Sequence, residues 1–245
     1  MEKGQLFLEH IQSRLDATES KTVSSIVERA GGIERVYVVF IDILRGFCEQ
    51  GPLSSDRVAK LILPVKELTE SLLQKGLPSK NLVFLNDAHP EDAVEFSAFP
   101  AHCVRNTEEA EVVKELQPFF EREGVQIFDK NATTGMFSKR KEDGLRFFEW
   151  LEQRLKEGPT TFIIVGDCTD LCIYQNATGI KLFANELNIK TNVIVSQQHT
   201  ETYDTPVSVA ESEGILAHDA DVLDQIFYYH MMLNDIEVVK TIEPV

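Results

Sequence analysis

Cysteine is scarce in this sequence and a long apolar run is missing. Four cysteines among 245 residues are too few for the disulfide framework of a secreted scaffold, so we interpret them as thiols, metal ligands or core residues. No apolar run approaches the roughly 20 residues that a membrane-spanning helix needs. Residues 1–4 also lack the basic and then apolar pattern of a secretion signal. These absences argue against a membrane protein or a disulfide-rich secreted protein and predict a cytoplasmic one.

Positive charge is also in short supply. The 24 Lys and Arg residues are outnumbered by 40 Asp and Glu residues, which leaves a net charge of −16 at pH 7. Nucleic acids and anionic membranes are bound by surfaces rich in Lys and Arg, so this balance argues against both as partners. It is compatible with a small-molecule substrate. With 43% hydrophobic residues, the chain is long enough to bury a full core.

Short apolar runs alternate with amphipathic stretches along the chain. The apolar runs, which are typical of buried parallel strands, cover 36–41, 82–85, 125–128, 160–165, 193–195 and 236–239. Helical spacing predicts helices over 56–74, 108–120, 142–156, 172–187 and 222–233. The alternation indicates an α/β fold with a mostly parallel sheet and helices on both faces. We place this domain at residues 33–245 and interpret residues 1–32, with two amphipathic helices, as an N-terminal helical extension.

Two cysteines lie where a predicted strand meets a predicted helix. The run Gly-Asp-Cys-Thr-Asp-Leu-Cys occupies residues 166–172. Thr169 or Asp170 suits the N-cap of the helix, which places Cys172 in its first turn. There the helix dipole favours a thiolate and is expected to lower the pKa of the thiol from about 8.5. The alternative is that Cys168 and Cys172 pack in the core as small apolar side chains.

Three residues that follow predicted strands have the chemistry of an activated nucleophile. Asp42, Lys130 and Cys172 all fall at the carboxyl ends of the strands, where parallel sheets bind their ligands. In this interpretation Cys172 attacks the substrate, Asp42 takes and returns its proton, and Lys130 favours both charged groups. Taken singly, an aspartate in a turn and a lysine on a solvated loop are ordinary features without a catalytic role.

A second cluster has the residue types of a metal site. Asp87 and His89 are two positions apart, so their side chains share one side of an extended segment. A loop of about a dozen residues then returns His102 to the same point. One carboxylate and two imidazoles suit Zn²⁺, Fe²⁺ or Mn²⁺, with positions left open to water or substrate. The alternative is that both histidines are only hydrogen-bonded within loops.

The order of these motifs resembles that of the isochorismatase-like cysteine hydrolases, and within them the plant-type nicotinamidases. The motifs that carry the resemblance lie at 39–42, 46–51, 87–90, 99–103, 130 and 166–172, within a match over about residues 36–240. It implies a Rossmann-like three-layer sandwich. It also implies a catalytic triad and a divalent metal site, made respectively of Asp42, Lys130 and Cys172 and of Asp87, His89 and His102.

The resemblance assigns roles to further residues. It implies a cis peptide bond before Cys168 and an oxyanion hole formed by the backbone N–H groups of Cys168 and Cys172. Phe47 and Phe99 match positions whose rings enclose the pyridine ring of a substrate. Asp167 departs from the family, which usually has an apolar residue there, and it brings a carboxylate close to the nucleophile.

The implied activity is hydrolysis of nicotinamide to nicotinate and ammonia through a thioester on Cys172, within NAD salvage. We therefore expect a small nicotinamide-like amide as the substrate and a homo-oligomeric protein. Two alternatives remain. One is a related hydrolase of this family that acts on another small amide or on an ether, and the other is a non-catalytic ligand-binding protein on the same fold.

Overall fold

A seven-stranded sheet forms the centre of the computed structural model, which describes residues 2–244. In chain order the strands are β1 (Lys21–Thr22), β2 (Val36–Ile41), β3 (Leu82–Asp87), β4 (Gln126–Lys130), β5 (Lys139–Arg140), β6 (Thr160–Asp167), β7 (Thr191–Glu201), β8 (Glu237–Val239) and β9 (Ile242–Glu243). The sheet order is β5-β4-β3-β2-β6-β7-β8, and β1 pairs separately with β9. Every neighbouring pair in the large sheet is parallel except β4 with β5. The predicted α/β fold with a mostly parallel sheet is confirmed.

Helices cover both faces of this sheet. They are α1 (Glu2–Asp16), α2 (Val23–Ala30), α3 (Arg45–Cys48), α4 (Asp56–Ala59), α5 (Ile62–Gln74), α6 (Gln117–Phe120), α7 (Phe147–Lys156), α8 (Tyr174–Glu186), α9 (Val207–Glu213) and α10 (Ala220–Leu233). Residues of α2 and α5 pack in one apolar layer, and residues of α1, α7, α8 and α10 pack in the other. Among the described residues, no helix combines the length and apolarity that crossing a membrane requires.

The central strand shows why its sequence is continuously apolar. All six residues of β2 are buried, and successive side chains point to opposite faces of the sheet. Val38 and Phe40 therefore pack in the layer of α2 and α5, whereas Val39 and Ile41 pack in the opposite layer. A strand covered on both faces has no solvent side for a polar residue.

The N-terminal residues contribute to both layers. Ile11 and Leu15 of α1 pack in the layer of α10, while Val23 and Ile26 of α2 lie in the other layer. Leu6 and Leu8 of α1 remain exposed. The boundary between residues 32 and 33 stays a prediction, and the extension is packed on the domain that follows it.

Several predicted element bounds were wrong. The helix expected over 108–120 is a short 3-10 turn, Glu108–Ala110, followed by α6. Between them the chain runs extended and donates the Val113 N–H to the Ile43 carbonyl at 3.2 Å. Backbone pairing with the loop after β2 therefore replaces helical hydrogen bonds. The helix expected over 142–156 begins only at Phe147, and the one expected over 56–74 divides into α4 and α5.

Candidate active site

The carboxyl ends of the central strands bring Asp42, Asp87 and Lys130 together. Asp87 and Lys130 end the paired strands β3 and β4 and lie opposite each other in the register. Asp42 follows β2 with a φ of +55°, a left-handed conformation that Asp tolerates better than most residues. Its Oδ1 accepts the Asp87 N–H at 2.8 Å. The end of each strand is thereby fixed to its neighbour.

Lys130 is the centre of a buried charge cluster. Its Nζ lies 2.7 Å from Asp42 Oδ2 and 2.6 Å from Asp87 Oδ1, and the side chain is almost completely shielded from solvent. Burial disfavours the ammonium, but the two carboxylates raise the pKa of Lys130 well above its ordinary value. One cation therefore offsets much of the charge of two buried carboxylates.

The carboxyl groups respond differently to this shared cation. Burial and the neighbouring Asp87 carboxylate raise the pKa of Asp42 to about 6, although Lys130 opposes them. Burial also opposes ionisation of Asp87, yet Lys130, His102 and His89 hold its pKa below the usual range. Asp42 is therefore the carboxyl group better suited to exchange a proton near neutral pH.

The turn that carries Cys172 depends on a glycine and a cis bond. Gly166 has a φ of +124°, and a Cβ there would lie 1.9 Å from the Ile41 carbonyl oxygen, so only glycine fits. The Asp167–Cys168 peptide bond is cis, as the resemblance implies. A π-helical turn, Thr169–Ile173, follows and leads into α8. Cys172 lies in this turn at the wall of the pocket.

Two predictions about Cys172 were wrong. The N-cap residue is Cys168, with no side-chain capping bond, instead of Thr169 or Asp170. Burial also raises the pKa of the Cys172 thiol well above its ordinary value, and Lys130 offsets only part of that effect. Lys130 Nζ still lies 3.7 Å from Cys172 Sγ. Loss of hydration therefore outweighs the attraction of the ammonium and favours the neutral thiol at Cys172.

Asp87, His89 and His102 form a compact ligand set. One ligand atom from each lies within 4.8 Å of the others, and all three residues are buried. His89 Nε2 lies 3.2 Å from Asp87 Oδ1 without making a hydrogen bond of acceptable geometry, so it is a buried nitrogen without a hydrogen-bond partner. His102 Nε2 lies 3.8 Å from Asp87 Oδ2.

The Nδ1 atoms of both histidines have hydrogen-bond partners. His89 Nδ1 lies 2.8 Å from Asn131 Oδ1, and His102 Nδ1 lies 2.8 Å from the Pro100 carbonyl oxygen. Because these acceptors favour a proton on each Nδ1, each Nε2, which lies on the side of Asp87, is the nitrogen available to bind a metal ion. Histidines that bind metal ions commonly donate their other ring N–H to a carbonyl or carboxylate oxygen in this way. The residues present therefore fit a divalent metal ion, with Asp87 as the carboxylate ligand.

A pocket of about 500 Å³ opens beside these groups. Its lining includes Asp42, Asp87, His102, Cys168 and Cys172, together with Glu95, Thr133 and Asp167. Apolar and aromatic side chains complete it, namely Phe47, Leu53, Val58, Phe99, Leu171 and Tyr203. Mixed walls of this kind are typical of small-ligand sites. All the residues proposed from the sequence except His89 and Lys130 line the pocket, and those two lie directly behind it.

The two predicted aromatic residues both lie at this pocket. The Phe47 ring is buried on α3, with its centroid 5.5 Å from that of His102. The Phe99 ring is 6.3 Å from that of His102. Their role in enclosing a substrate ring stays a prediction, as does the role of the Cys168 and Cys172 N–H groups.

Sequence reasoning missed the residues that hold the nucleophile turn. Asn176 donates to the Cys172 carbonyl at 2.7 Å and accepts the Gly135 N–H at 2.7 Å, which fixes the turn to the loop after β4. Asp170 accepts from Thr202 at 2.6 Å and lies 2.9 Å from His218 Nε2. These partners come from distant parts of the chain, so no local pattern indicates them.

Known proteins share this sequence pattern and this fold. Residues 36–204 match the family model described as the isochorismatase domain. Nicotinamidase 1 of Arabidopsis thaliana is 24% identical over 217 residues, which span 84% of this chain and 86% of that protein. The pyrazinamidase of Pyrococcus horikoshii, solved in complex with zinc, has a TM-score of 0.59 at 21% identity and covers 84% of this chain and 99% of its own. N-carbamoylsarcosine amidase from Thermoplasma acidophilum has a TM-score of 0.57 at 19% identity, with 85% and 98% covered.

The similar solved structures show the fold. The family model also matches the sequence of the segments that line the pocket. The matched residues include β2, β3, β4, β6 and the turn that carries Cys172. They extend over more than half of the chain. The chain therefore belongs to the isochorismatase family of hydrolases.

Proposed function

We propose that this protein is a metal-dependent nicotinamidase, which converts nicotinamide and water to nicotinate and ammonia. The observation that carries the proposal is the position of Lys130 Nζ, 2.7 Å from Asp42 and 3.7 Å from Cys172, beside the Asp87–His89–His102 group. Relatives named as a nicotinamidase and a pyrazinamidase support a small aromatic amide as substrate. Cytoplasmic NAD salvage and a homo-oligomeric state belong to the same proposal.

The proposed reaction begins with a proton transfer. The Cys172 thiol gives its proton to Asp42 while its sulfur attacks the carbonyl carbon of the amide, which forms a C–S bond and a tetrahedral oxyanion. Lys130 stabilises the negative charge that moves between these two groups. The backbone N–H groups of Cys168 and Cys172 donate to the oxyanion, and each such donor is worth about 3 kcal/mol in other acyl-transfer sites.

Asp42 then returns the proton to the departing nitrogen. The C–N bond breaks, ammonia leaves and a thioester remains on Cys172. Asp42 next takes a proton from water, whose oxygen attacks the thioester carbon. The C–S bond breaks, Cys172 recovers a proton and nicotinate is released. A carboxyl group with a pKa of about 6 is suited to both directions of transfer.

The metal site and the aromatic residues position the substrate in this proposal. Asp87, His89 and His102 would hold Zn²⁺, Fe²⁺ or Mn²⁺. When bound, the cation supplies a Lewis-acidic anchor for the lone pair of a ring nitrogen. Phe47 and Phe99 would enclose the ring and exclude water from the thiol.

The test is ammonia release from nicotinamide and pyrazinamide, with metal analysis of the same sample. We expect turnover that a chelator abolishes and that added Zn²⁺, Mn²⁺ or Fe²⁺ restores. Cys172→Ala should lose turnover by a factor of about 10⁴ or more while it retains metal. His89→Ala should lose both the metal and the turnover.

Cys48→Ala is the matched control. Cys48 is also a buried free thiol, but it does not line the pocket. Its replacement should leave turnover near the wild-type value. Substantial residual activity of Cys172→Ala, or activity that survives complete metal removal, would contradict the proposal.

A second candidate is a hydrolase of the same family that acts on another small amide. The observation that favours it is Asp167, a carboxyl group in a pocket wall that is otherwise largely apolar. An N-carbamoyl amino acid therefore belongs in the assay panel, since one structural relative is named as an N-carbamoylsarcosine amidase. A non-catalytic ligand-binding protein would bind an amide of the panel and release no ammonia from any of them.

A further inference from the structure

Asp167 is a buried carboxyl group for which the described residues offer almost no partner. It ends β6 and lines the pocket, with only 1% of its surface exposed. Its Oδ1 has no hydrogen-bond partner among residues 2–244. Its Oδ2 has a single weak contact, from the Cys168 thiol at 3.8 Å. Burying an unpaired polar group costs free energy, so this position needs an explanation.

Asp167 lies on a different side of β6 from the reacting groups. Along the strand, Ile163 and Val165 pack in the layer of α2 and α5, together with Phe47 and Val58. After burial, the Asp167 carboxylate is the main cause that raises the pKa of the Cys48 thiol, and Cys48 belongs to this layer, so the Asp167 side chain lies near it. Cys172 packs in the opposite layer. The compact group of Asp42, Asp87 and Cys172 also does not include Asp167.

No cation is available to pair with this carboxyl group. Among the described residues Asp167 takes part in no salt bridge, and Lys130 is already in contact with Asp42 and Asp87. Burial and the nearby Asp42 carboxylate raise the pKa of Asp167 well above its ordinary value, although Lys130 opposes them at a distance. A neutral carboxyl group offers one O–H donor and one carbonyl acceptor. Because Asp167 lines the pocket, this donor and this acceptor lie beside any ligand that occupies it.

We propose that Asp167 is a specificity-determining residue whose carboxyl group binds a hydrogen-bond donor on the ring of the amide substrate. This inference rests on the proposed amidohydrolase function and narrows its substrate class. The preferred substrates are aromatic amides that carry an amino or hydroxyl group on the ring. The reactive carboxamide itself meets Cys172 and Asp42 in the opposite layer, so Asp167 contacts another part of the molecule.

The test compares nicotinamide with the set of nicotinamides that carry one ring amino group. Wild-type protein should favour at least one aminated amide by about ten-fold in kcat/KM, since a polar site left unpaired discriminates at least this strongly. Asp167→Leu should lose that preference, so that the ratio of kcat/KM for the aminated amide to kcat/KM for nicotinamide falls to about one or below. Asp167→Asn should keep the preference, because an amide also donates and accepts without charge.

Binding measurements separate this inference from the proposed function. Calorimetry on Zn²⁺-loaded Cys172→Ala, with and without Asp167→Leu, measures the preference for the aminated amide without turnover. A preference that disappears with Asp167→Leu supports the inference even if no amide is hydrolysed. The inference is overturned if the ratio of the affinities for the aminated amide and for nicotinamide is the same with and without Asp167→Leu. It is also overturned if neither assay shows a preference when Asp167 is present.

Thermal unfolding tests whether the Asp167 carboxyl group lacks a partner in the ligand-free protein. Asp167→Leu removes a buried carboxyl group without a partner, so the Tm of the ligand-free protein should rise. Asp167→Asn keeps the size and polarity of the side chain and provides the second variant if Asp167→Leu does not fold. A Tm that falls in both variants would show that the protein already satisfies this carboxyl group, and would overturn the inference.

Discussion

Asp42 and Asp167 are two buried carboxyl groups of the pocket with opposite surroundings. Asp42 follows β2 and Asp167 ends the adjacent strand β6, and both are shielded from solvent. Asp42 contacts Lys130 and accepts a backbone N–H. Among residues 2–244, the contact that Asp167 makes is a weak one with the Cys168 thiol at 3.8 Å. The same residue type at the same sheet edge thus lies in a charged wall in one case and in an apolar wall in the other.

The comparison shows that burial alone does not assign a role to a carboxyl group. Both groups lose hydration, which favours the neutral form. Lys130 compensates for that loss at Asp42, so its pKa remains at about 6 and suits proton transfer. At Asp167, burial and the Asp42 carboxylate outweigh Lys130 and raise the pKa well above its ordinary value, which favours the neutral form and hydrogen bonding to a ligand.

Removing the shared cation should produce the largest effect. Lys130→Met leaves Asp42 and Asp87 as uncompensated buried carboxyl groups, so we expect turnover to fall by at least about 10³. The free energy of unfolding should fall by about 3–5 kcal/mol, the usual effect of breaking a buried pair from one side. Ammonia release and urea unfolding measure the two losses.

Lys181→Met is the matched control for this variant. Lys181 is also a buried lysine, 2.6 Å from Asp235, but Asp235 is 89% exposed. The Asp235 carboxylate stays hydrated when Lys181 is replaced, so the loss of stability should be much smaller than for Lys130→Met. Turnover should be unchanged. Equal destabilisation by the two substitutions would show that Lys130 does not compensate for buried charge.

Asp42→Asn and Asp167→Asn should separate proton transfer from recognition. An asparagine cannot accept the thiol proton, so Asp42→Asn should lower kcat by about 10²–10⁴. Asp167→Asn retains a neutral donor and acceptor, and kcat should stay within a few-fold of the wild type. Steady-state kinetics on nicotinamide and on the preferred aminated amide give both values. Similar losses of kcat from the two substitutions would show that Asp42 and Asp167 do not differ in their roles.

A buried histidine outside the pocket extends the comparison to stability. His199 on β7 is 2% exposed, with its Nδ1 2.7 Å from Ser196 Oγ, and burial lowers its pKa to about 4. Between about pH 6.5 and 4 the unfolded chain therefore binds more protons at this residue than the folded protein does. Stability falls as pH falls through this window, by about 2 kcal/mol at pH 5.

His199→Gln should flatten this acid dependence. Urea unfolding at pH 7 and pH 5 measures the slope, and His10→Gln, at an exposed position, is the control that should leave it unchanged. A variant with the wild-type loss of stability between these pH values would assign the acid sensitivity to other groups.

Several parts of the pocket could be predicted from local sequence. The buried run of β2 with Asp42 after it, and the run at 166–172 after β6, are contiguous features, so strand ends and candidate residues follow from pattern. The interval between Glu108 and Phe120 could not be assigned in this way, because pairing with the loop after β2 overrides its helical spacing. Asn176 and His218 were missed because their partners Gly135 and Asp170 lie far away in the sequence.

The sequence by itself determined the family, the parallel sheet and the residues at the ends of its strands, because these depend on residue type and short-range periodicity. Only the tertiary structure decided the state of those residues. It buries the Cys172 thiol and raises its pKa, places Lys130 in contact with Asp42 and Asp87, and gives Asp167 no salt bridge within the described part of the chain. Protonation depends on hydration and on neighbouring charges, and at this site those neighbours come from four separate strands and the turns that follow them.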